Sequence, residues 1–154
     1  MSYYDRYIIK EGSLKNEVVN GEVVGFKFDV HVAQYRGLFV CLMRGYYVEV
    51  DGVEYPLDAQ RFEINGKIRT WDECATAYYE MWNYKDYATI HVCKPGGLAP
   101  GKHHVVIIQG GLNAYGWQPT DEEYAKNCPE PKDMKAMMGR SLWDSRLQFD
   151  LELS

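Results

Sequence analysis

Apolar and polar positions alternate along much of the first half of the chain. Phe26, Phe28, Val30 and Val32 are interleaved with Lys27, Asp29, His31 and Ala33, and a period of two describes a strand with one buried face. Ahead of them stands Val18-Val19-Asn20-Gly21-Glu22-Val23. An Asn-Gly pair tolerates positive φ at both positions and favours a type I′ hairpin turn. Gly25 then marks a bulge. Tyr47-Val48-Glu49-Val50, Asp51-Gly52 and Val53-Glu54-Tyr55 form a second hairpin signal, which Pro56 ends or confines to a sheet edge. Arg61 to Ile64, Asn65-Gly66 and Lys67 to Arg69 form a third.

Helical signals are few. Thr70 with Glu73 fits a capping box and predicts one short helix, Trp71 to Ala75. The aromatic-rich stretch Tyr78 to Tyr84 reads as extended, and Tyr87 to Cys93 as a strand. Lys94-Pro95-Gly96-Gly97-Leu98-Ala99-Pro100-Gly101 is a turn-rich loop. His103 to Gln109 is a further strand. From Gly110 to Arg146 the pattern weakens. Pro119, Pro129 and Pro131 interrupt it, Thr120 with Glu123 is a second capping box, and Met134, Met137 and Met138 suit a short helix or a flexible arm. Leu147, Phe149, Leu151 and Leu153 alternate with Gln148, Asp150 and Glu152, predicting a final amphipathic strand. About eight or nine short strands with little helix point to an all-β antiparallel β-sandwich or jelly-roll, with one or two short helices. The expected organisation is one domain over residues 1–154, with residues 110–146 as an irregular insertion or arm before the last strand.

Composition narrows the picture. The chain has 154 residues, 46% hydrophobic and 25% charged, which is ordinary for a globular domain and excludes disordered or collagenous classes. A net charge of −5 argues against a nucleic-acid partner. No apolar run approaches the ~18 residues of a membrane span. The first residues lack a basic segment followed by an apolar one, so a cytoplasmic location is expected. Cys41, Cys74, Cys93 and Cys128 form no C-x-x-C pair and match no zinc module, which predicts reduced thiols. The unusual feature is aromatic content, 14%, with 13 Tyr, 5 Phe and 4 Trp. Such residues suit half-buried sheet faces and interfaces.

Candidate chemistry is sparse. His103 and His104 are neighbours on a strand, so their rings point to opposite faces and cannot readily share a metal. His91 follows Thr89 on one strand face and reads as packing, and His31 reads as solvated. The Lys94 to Gly101 loop lacks the G-x-x-x-x-G-K-[ST] order and joins strand to strand, so no helix dipole stands behind it. Gly139-Arg140-Ser141 is not a nucleophile elbow. No catalytic or metal-binding residue is therefore assigned. Tyr35-Arg36-Gly37-Leu38 holds residue types enriched at binding hot spots, or is a loop whose arginine meets a nearby acid. Trp71, Trp82 and Trp117 suit a second reading, a carbohydrate-binding sandwich that stacks sugars on exposed rings. A third, a stand-alone enzyme on a jelly-roll, needs a metal cluster that the four histidines are poorly spaced to supply.

Taken together, Tyr35-Arg36-Gly37-Leu38, Val48-Glu49-Val50-Asp51-Gly52, Arg61-Phe62 followed by Asn65-Gly66, and above all Lys94-Pro95-Gly96-Gly97-Leu98-Ala99-Pro100-Gly101 resemble the small beta subunit of bacterial C-glycoside deglycosidases. The likeness covers roughly residues 5 to 110 and fades after Gln109. Leu38-Phe39-Val40-Cys41 departs from the family's proline-containing version. The resemblance implies a β-sandwich subunit that is inactive alone and carries no cofactor. Its partner would be a large alpha subunit resembling a TIM barrel, which holds a divalent metal, manganese. The complex would cleave the carbon–carbon glycosidic bond of 3-oxo-C-glucosides, typically of flavonoids handled by gut and soil bacteria. The expected partner contacts are Tyr35, Arg36, Gly37 and Leu38 with Lys94, Pro95, Gly96, Gly97 and Leu98.

Overall fold

The computed structural model describes residues 8–31, 38–40, 43–78, 80–83, 85–111 and 147–154. Each Asn-Gly or Asp-Gly pair closes a hairpin, with φ of 51° and 81° at Asn20 and Gly21, 51° and 84° at Asp51 and Gly52, and 54° and 78° at Asn65 and Gly66. Positive φ at both central residues is the type I′ geometry whose twist matches the flanking strands. The strands they join build two antiparallel sheets. One has the order β1 (Lys15–Val19), β2 (Glu22–His31), β9 (Tyr87–Cys93), β6 (Gln60–Ile64) and β7 (Lys67–Arg69). The other runs β11 (Leu147–Glu152), β10 (Lys102–Gly111), β4 (Met43–Val50) and β5 (Val53–Tyr55). A short ribbon pairs β3 (Leu38–Phe39) with β8 (Met81–Trp82). The inner faces share one core, in which Phe26, Phe28 and Ile90 of the first sheet meet Tyr46, Val48 and Val105 of the second. The chain forms the expected antiparallel β-sandwich.

The bulge expected at Gly25 lies beside it. Glu17 pairs with Gly25 and Val18 with Val23, so Val24 is the extra residue. The predicted helix is α1 (Trp71–Cys74). The Thr70 hydroxyl accepts from the Glu73 N–H at 3.2 Å and the Glu73 carboxylate accepts from the Thr70 N–H at 3.0 Å, which completes the capping box. This short turn aims Trp71 inward, where its ring lies 5.2 Å from Phe62 and 5.9 Å from Tyr46. Trp82 meets Phe62 edge-on at 5.4 Å and donates its indole N–H to the Asp86 carbonyl at 2.9 Å. Among the described residues, Phe26, Phe28, Tyr46, Phe62, Trp71 and Trp82 are core, each ring stabilising the fold by ~1.5–3 kcal/mol through burial.

Two elements differ from the pattern reading. Among the described residues between Tyr78 and Tyr84, only Met81–Trp82 is a strand. The chain first turns, with Ala77 N–H on the Cys74 carbonyl and Glu80 N–H on the Ala77 carbonyl. Glu80 is then pinned to β7 by a bidentate Arg69 pair at 2.6 and 2.9 Å and by Lys67 at 2.9 Å. The Arg69 hydrogen bonds, aided by Lys67, pull its carboxyl down to about 2. His31 is half-buried rather than solvated, because its directly opposed residue on β9 is Tyr87, whose ring meets it edge-on at 5.5 Å. The last strand is present and pairs along β10 from Leu147 to Glu152. Readings that fall on residues 112–146, including the second capping box and the three methionines, lie outside the described residues.

Candidate functional site

The loop Lys94 to Gly101 is fixed on several sides. The Lys94 N–H donates to the Val24 carbonyl at 3.1 Å, and the Gly96 N–H to the Val23 carbonyl at 2.9 Å. Asn16 on β1 then substitutes for a strand neighbour. Its amide donates to the Leu98 carbonyl at 2.9 Å and accepts from the Leu98 N–H at 2.8 Å. Gly97 has φ +63°, and a Cβ there would come within 2.6 Å of a Val23 methyl. Only glycine lets the loop lie this close to the hairpin. Lys94 turns its ammonium back to the Gly97 carbonyl at 2.8 Å. Of the five loop residues expected at a partner surface, Pro95 and Gly96 are exposed and Lys94 half-exposed, while Gly97 and Leu98 are buried within the chain. Tyr35, Arg36 and Gly37 lie outside the described residues, and Leu38 belongs to β3.

The far end of the loop is held by His103. Its Nδ1–H donates to Asp51 Oδ2 at 2.5 Å and its Nε2–H to the Ala99 carbonyl at 2.6 Å. Both partners only accept, so it is the doubly protonated imidazolium that satisfies both contacts. The Asp51 hydrogen bond raises the imidazole above its ordinary 6.5. In return the His103 hydrogen bond, followed by that of the His104 N–H, lowers the Asp51 carboxyl below 3.8. His104 points to the other face, against Asp150 at 2.9 Å and Gln148 at 3.1 Å. The histidine neighbours are therefore separated, as expected.

This clamp has a signed pH dependence. A raised histidine contributes stability that is complete below about pH 6.5 and is lost as pH rises through the folded value. A depressed aspartate contributes stability that is present above about pH 3.8 and is lost as pH falls through its folded value. The Asp51 side chain is 50% exposed, so solvent screens the pair and the effect is modest. Urea unfolding of the protein and of His103→Gln between pH 5 and pH 9 checks this. The difference in midpoint is expected to be largest near pH 5–6 and to shrink as pH rises; a constant difference would contradict the clamp.

The outer face of the five-stranded sheet carries a second polar constellation. Lys15, Lys27, His91 and Arg61 stand in one register row across β1, β2, β9 and β6. His91 is bracketed by Glu17 at 3.0 Å and Glu63 at 2.6 Å. Glu17 spans β2 to reach it because the intervening residue, Gly25, has no side chain. Beside this row an open cleft of about 330 Å³ is lined by residues 10–13 and Lys15, by Lys27 and Asp29, and by Glu63 and Thr89. Among the described residues, no three His, Cys, Asp or Glu side chains form a group able to hold a metal ion. Cys74 is a buried and Cys93 an exposed free thiol. No helix among the described residues is long and apolar enough to cross a membrane.

Sequence reasoning missed three of the anchors. Asn16 and Asp51 lie far from their partners in sequence, and Gln60 is a fully buried polar residue on a core face. Only its place in strand alternation hinted that Gln60 points inward. The sugar-stacking reading is corrected for two of its three rings, because Trp71 is 2% and Trp82 0% exposed. Apolar neighbours enclose both, and Trp117 lies outside the described residues.

Fold and site define a two-sheet β-sandwich whose Pro- and Gly-rich loop is held rigidly by polar side chains. The profile of the C-glycoside deglycosidase beta subunit family matches residues 4–115, and the chain belongs to that family. A curated relative, the C-glycoside deglycosidase beta subunit of Eubacterium cellulosolvens, is 37% identical over 106 residues, covering 61% of this chain and 72% of the relative. A beta subunit implies a second, different subunit. The matched span contains all three hairpins and the Lys94 to Gly101 loop.

Proposed function

We propose that this chain is the supporting subunit of a C-glycoside deglycosidase that acts on 3-oxo-C-glucosides, such as those of flavonoids, in the cytoplasm. Membership of the beta subunit family carries this reading. A C-glycosidic bond offers no leaving oxygen to protonate. A 3-oxo group acidifies the neighbouring C2–H; a base removes that proton, the C1=C2 bond forms, and the aglycone carbon leaves C1 with the electron pair of the broken bond and takes up a proton, a β-elimination of lyase type. A divalent metal, manganese, on a TIM-barrel large subunit would supply charge stabilisation. The described residues of this chain show no grouped ligand set, so no step through that metal is assigned to them. Its part is to stabilise the large subunit, with the Tyr35 to Leu38 segment and the accessible loop residues Lys94, Pro95 and Gly96 as contacts.

Coexpression with the large subunit tests the assembly. The two chains are expected to copurify, with a native mass that contains both. Separate elution of two folded chains would contradict the reading.

A further inference from the structure

The outer cleft of the five-stranded sheet contains an arrangement that the fold does not need. Lys15 and Lys27 face each other directly across the β1–β2 ladder. Like charges in directly opposed positions destabilise a sheet pair. Neither ammonium has a hydrogen-bond or ion-pair partner among the described residues. Three other lysines are engaged: Lys10 lies over the Tyr87 ring at 5.4 Å, Lys67 pairs with Glu80, and Lys94 donates to a carbonyl. Three acids line the cleft, Glu11, Asp29 and Glu63, of which Glu11 is exposed. Asp29 accepts from the Thr89 hydroxyl at 2.7 Å, and Glu63 is held by His91 at 2.6 Å.

We propose that this cleft is a binding site for a small hydroxylated oxyanion, whose charged group lies between Lys15 and Lys27. The cleft volume, about 330 Å³, is in the range of small-molecule sites. Lys15 and Lys27 in one register row present donors only, while Asp29 and Glu63, on either side of Thr89 in the next row, keep carboxylate lone pairs beyond those already used. The acids repel an anion and accept from hydroxyls, so they set the ligand's orientation. Ser13 stiffens the wall: its hydroxyl donates to the Lys10 carbonyl at 2.6 Å and accepts from the Asp29 N–H at 3.0 Å. The shared chemistry is an oxyanion bearing hydroxyls, whether carboxylate or phosphate. The site uses only this chain's residues and stands apart from the proposed subunit role.

The test is an NMR titration of the full chain that follows the backbone amides of Lys27 and Thr89. The probes are glycerate for a carboxylate and glycerol 3-phosphate for a phosphate, with glycerol and acetate as controls. At least one of the two hydroxylated anions is expected to saturate, and which one does identifies the charged group. Its affinity should fall severalfold between about 20 and about 200 mM salt. Glycerol and acetate should bind about tenfold more weakly or not at all. Lys15→Gln and Lys27→Gln should each weaken binding about tenfold, and Lys67→Gln should leave it unchanged. Either lysine variant that keeps its native spectrum suffices. No saturable shift with either anion, equal binding of glycerol or acetate, or unchanged affinity in a folded lysine variant would overturn the proposal.

Discussion

Gly25→Ala is expected to lower the unfolding free energy by at least ~3 kcal/mol, enough to deplete the folded state of a marginally stable domain. A Cβ at Gly25 would fall onto the Val92 carbonyl oxygen, with Val92 C at 3.0 Å and Lys94 N at 3.1 Å behind it. All three atoms are backbone in or beside β9, the middle strand of its sheet. Relief therefore requires moving a central strand rather than rotating a side chain. The same residue gives Glu17 its path to His91, so the substitution also disturbs the Glu17–His91–Glu63 bridge. Gly66→Ala is the control. It adds a Cβ into open space at φ +78°, and its cost is only the left-handed backbone, ~1–2 kcal/mol. Urea unfolding followed by fluorescence of the buried Trp71 and Trp82 measures both. Equal costs would contradict the steric account.

The second large effect is expected at Gln60. Its side chain is fully buried and joins both sheets to the helix. The amide donates to the Tyr46 carbonyl at 2.9 Å and the Tyr55 carbonyl at 3.1 Å, and its oxygen accepts from the Trp71 indole N–H at 3.1 Å. Gln60→Leu keeps most of the volume and removes all three bonds. The Trp71 N–H is left without its acceptor in the core, and an orphaned buried donor costs about 1–3 kcal/mol. With the two lost carbonyl contacts the total should reach ~3 kcal/mol. Trp71→Phe should cost less in the Gln60→Leu background than in the native chain, because the donor it removes is already unpaired. Additive costs would show that the bond contributes nothing.

These two positions mark where the sequence was legible and where it was not. The three hairpins, the helix cap and the final strand follow from rules that act over a few residues. Asn20-Gly21, Asp51-Gly52 and Asn65-Gly66 carry their turn type in their own backbone preferences. Thr70 and Glu73 satisfy each other three residues apart. The strand Leu147–Glu152 shows its buried face by simple alternation. The anchors of the candidate site depend on contacts between distant segments. Asn16 reaches Leu98 across 82 residues, Glu17 reaches His91 across 74, and Asp51 reaches His103 across 52. No local pattern records such pairings. The tryptophans show the same limit, since composition reveals that they are present but not which way they face. Trp71 and Trp82 point inward because a four-residue helix and a two-residue strand direct them against Phe62. The Lys-Pro-Gly-Gly-Leu loop was recognisable as a motif. Its rigidity became evident only with Asn16 and the β2 carbonyls beside it.

The central claim is that this chain supports a reaction performed by the complex. The direct measurement is the initial rate of aglycone release from a 3-oxo-C-glucoside by this chain alone, by the large subunit alone, and by the two mixed. The account predicts no turnover by this chain alone and full turnover only in the mixture, saturating at a fixed subunit ratio. Full-rate cleavage by this chain alone, or a large subunit whose rate is indifferent to its addition, would contradict it.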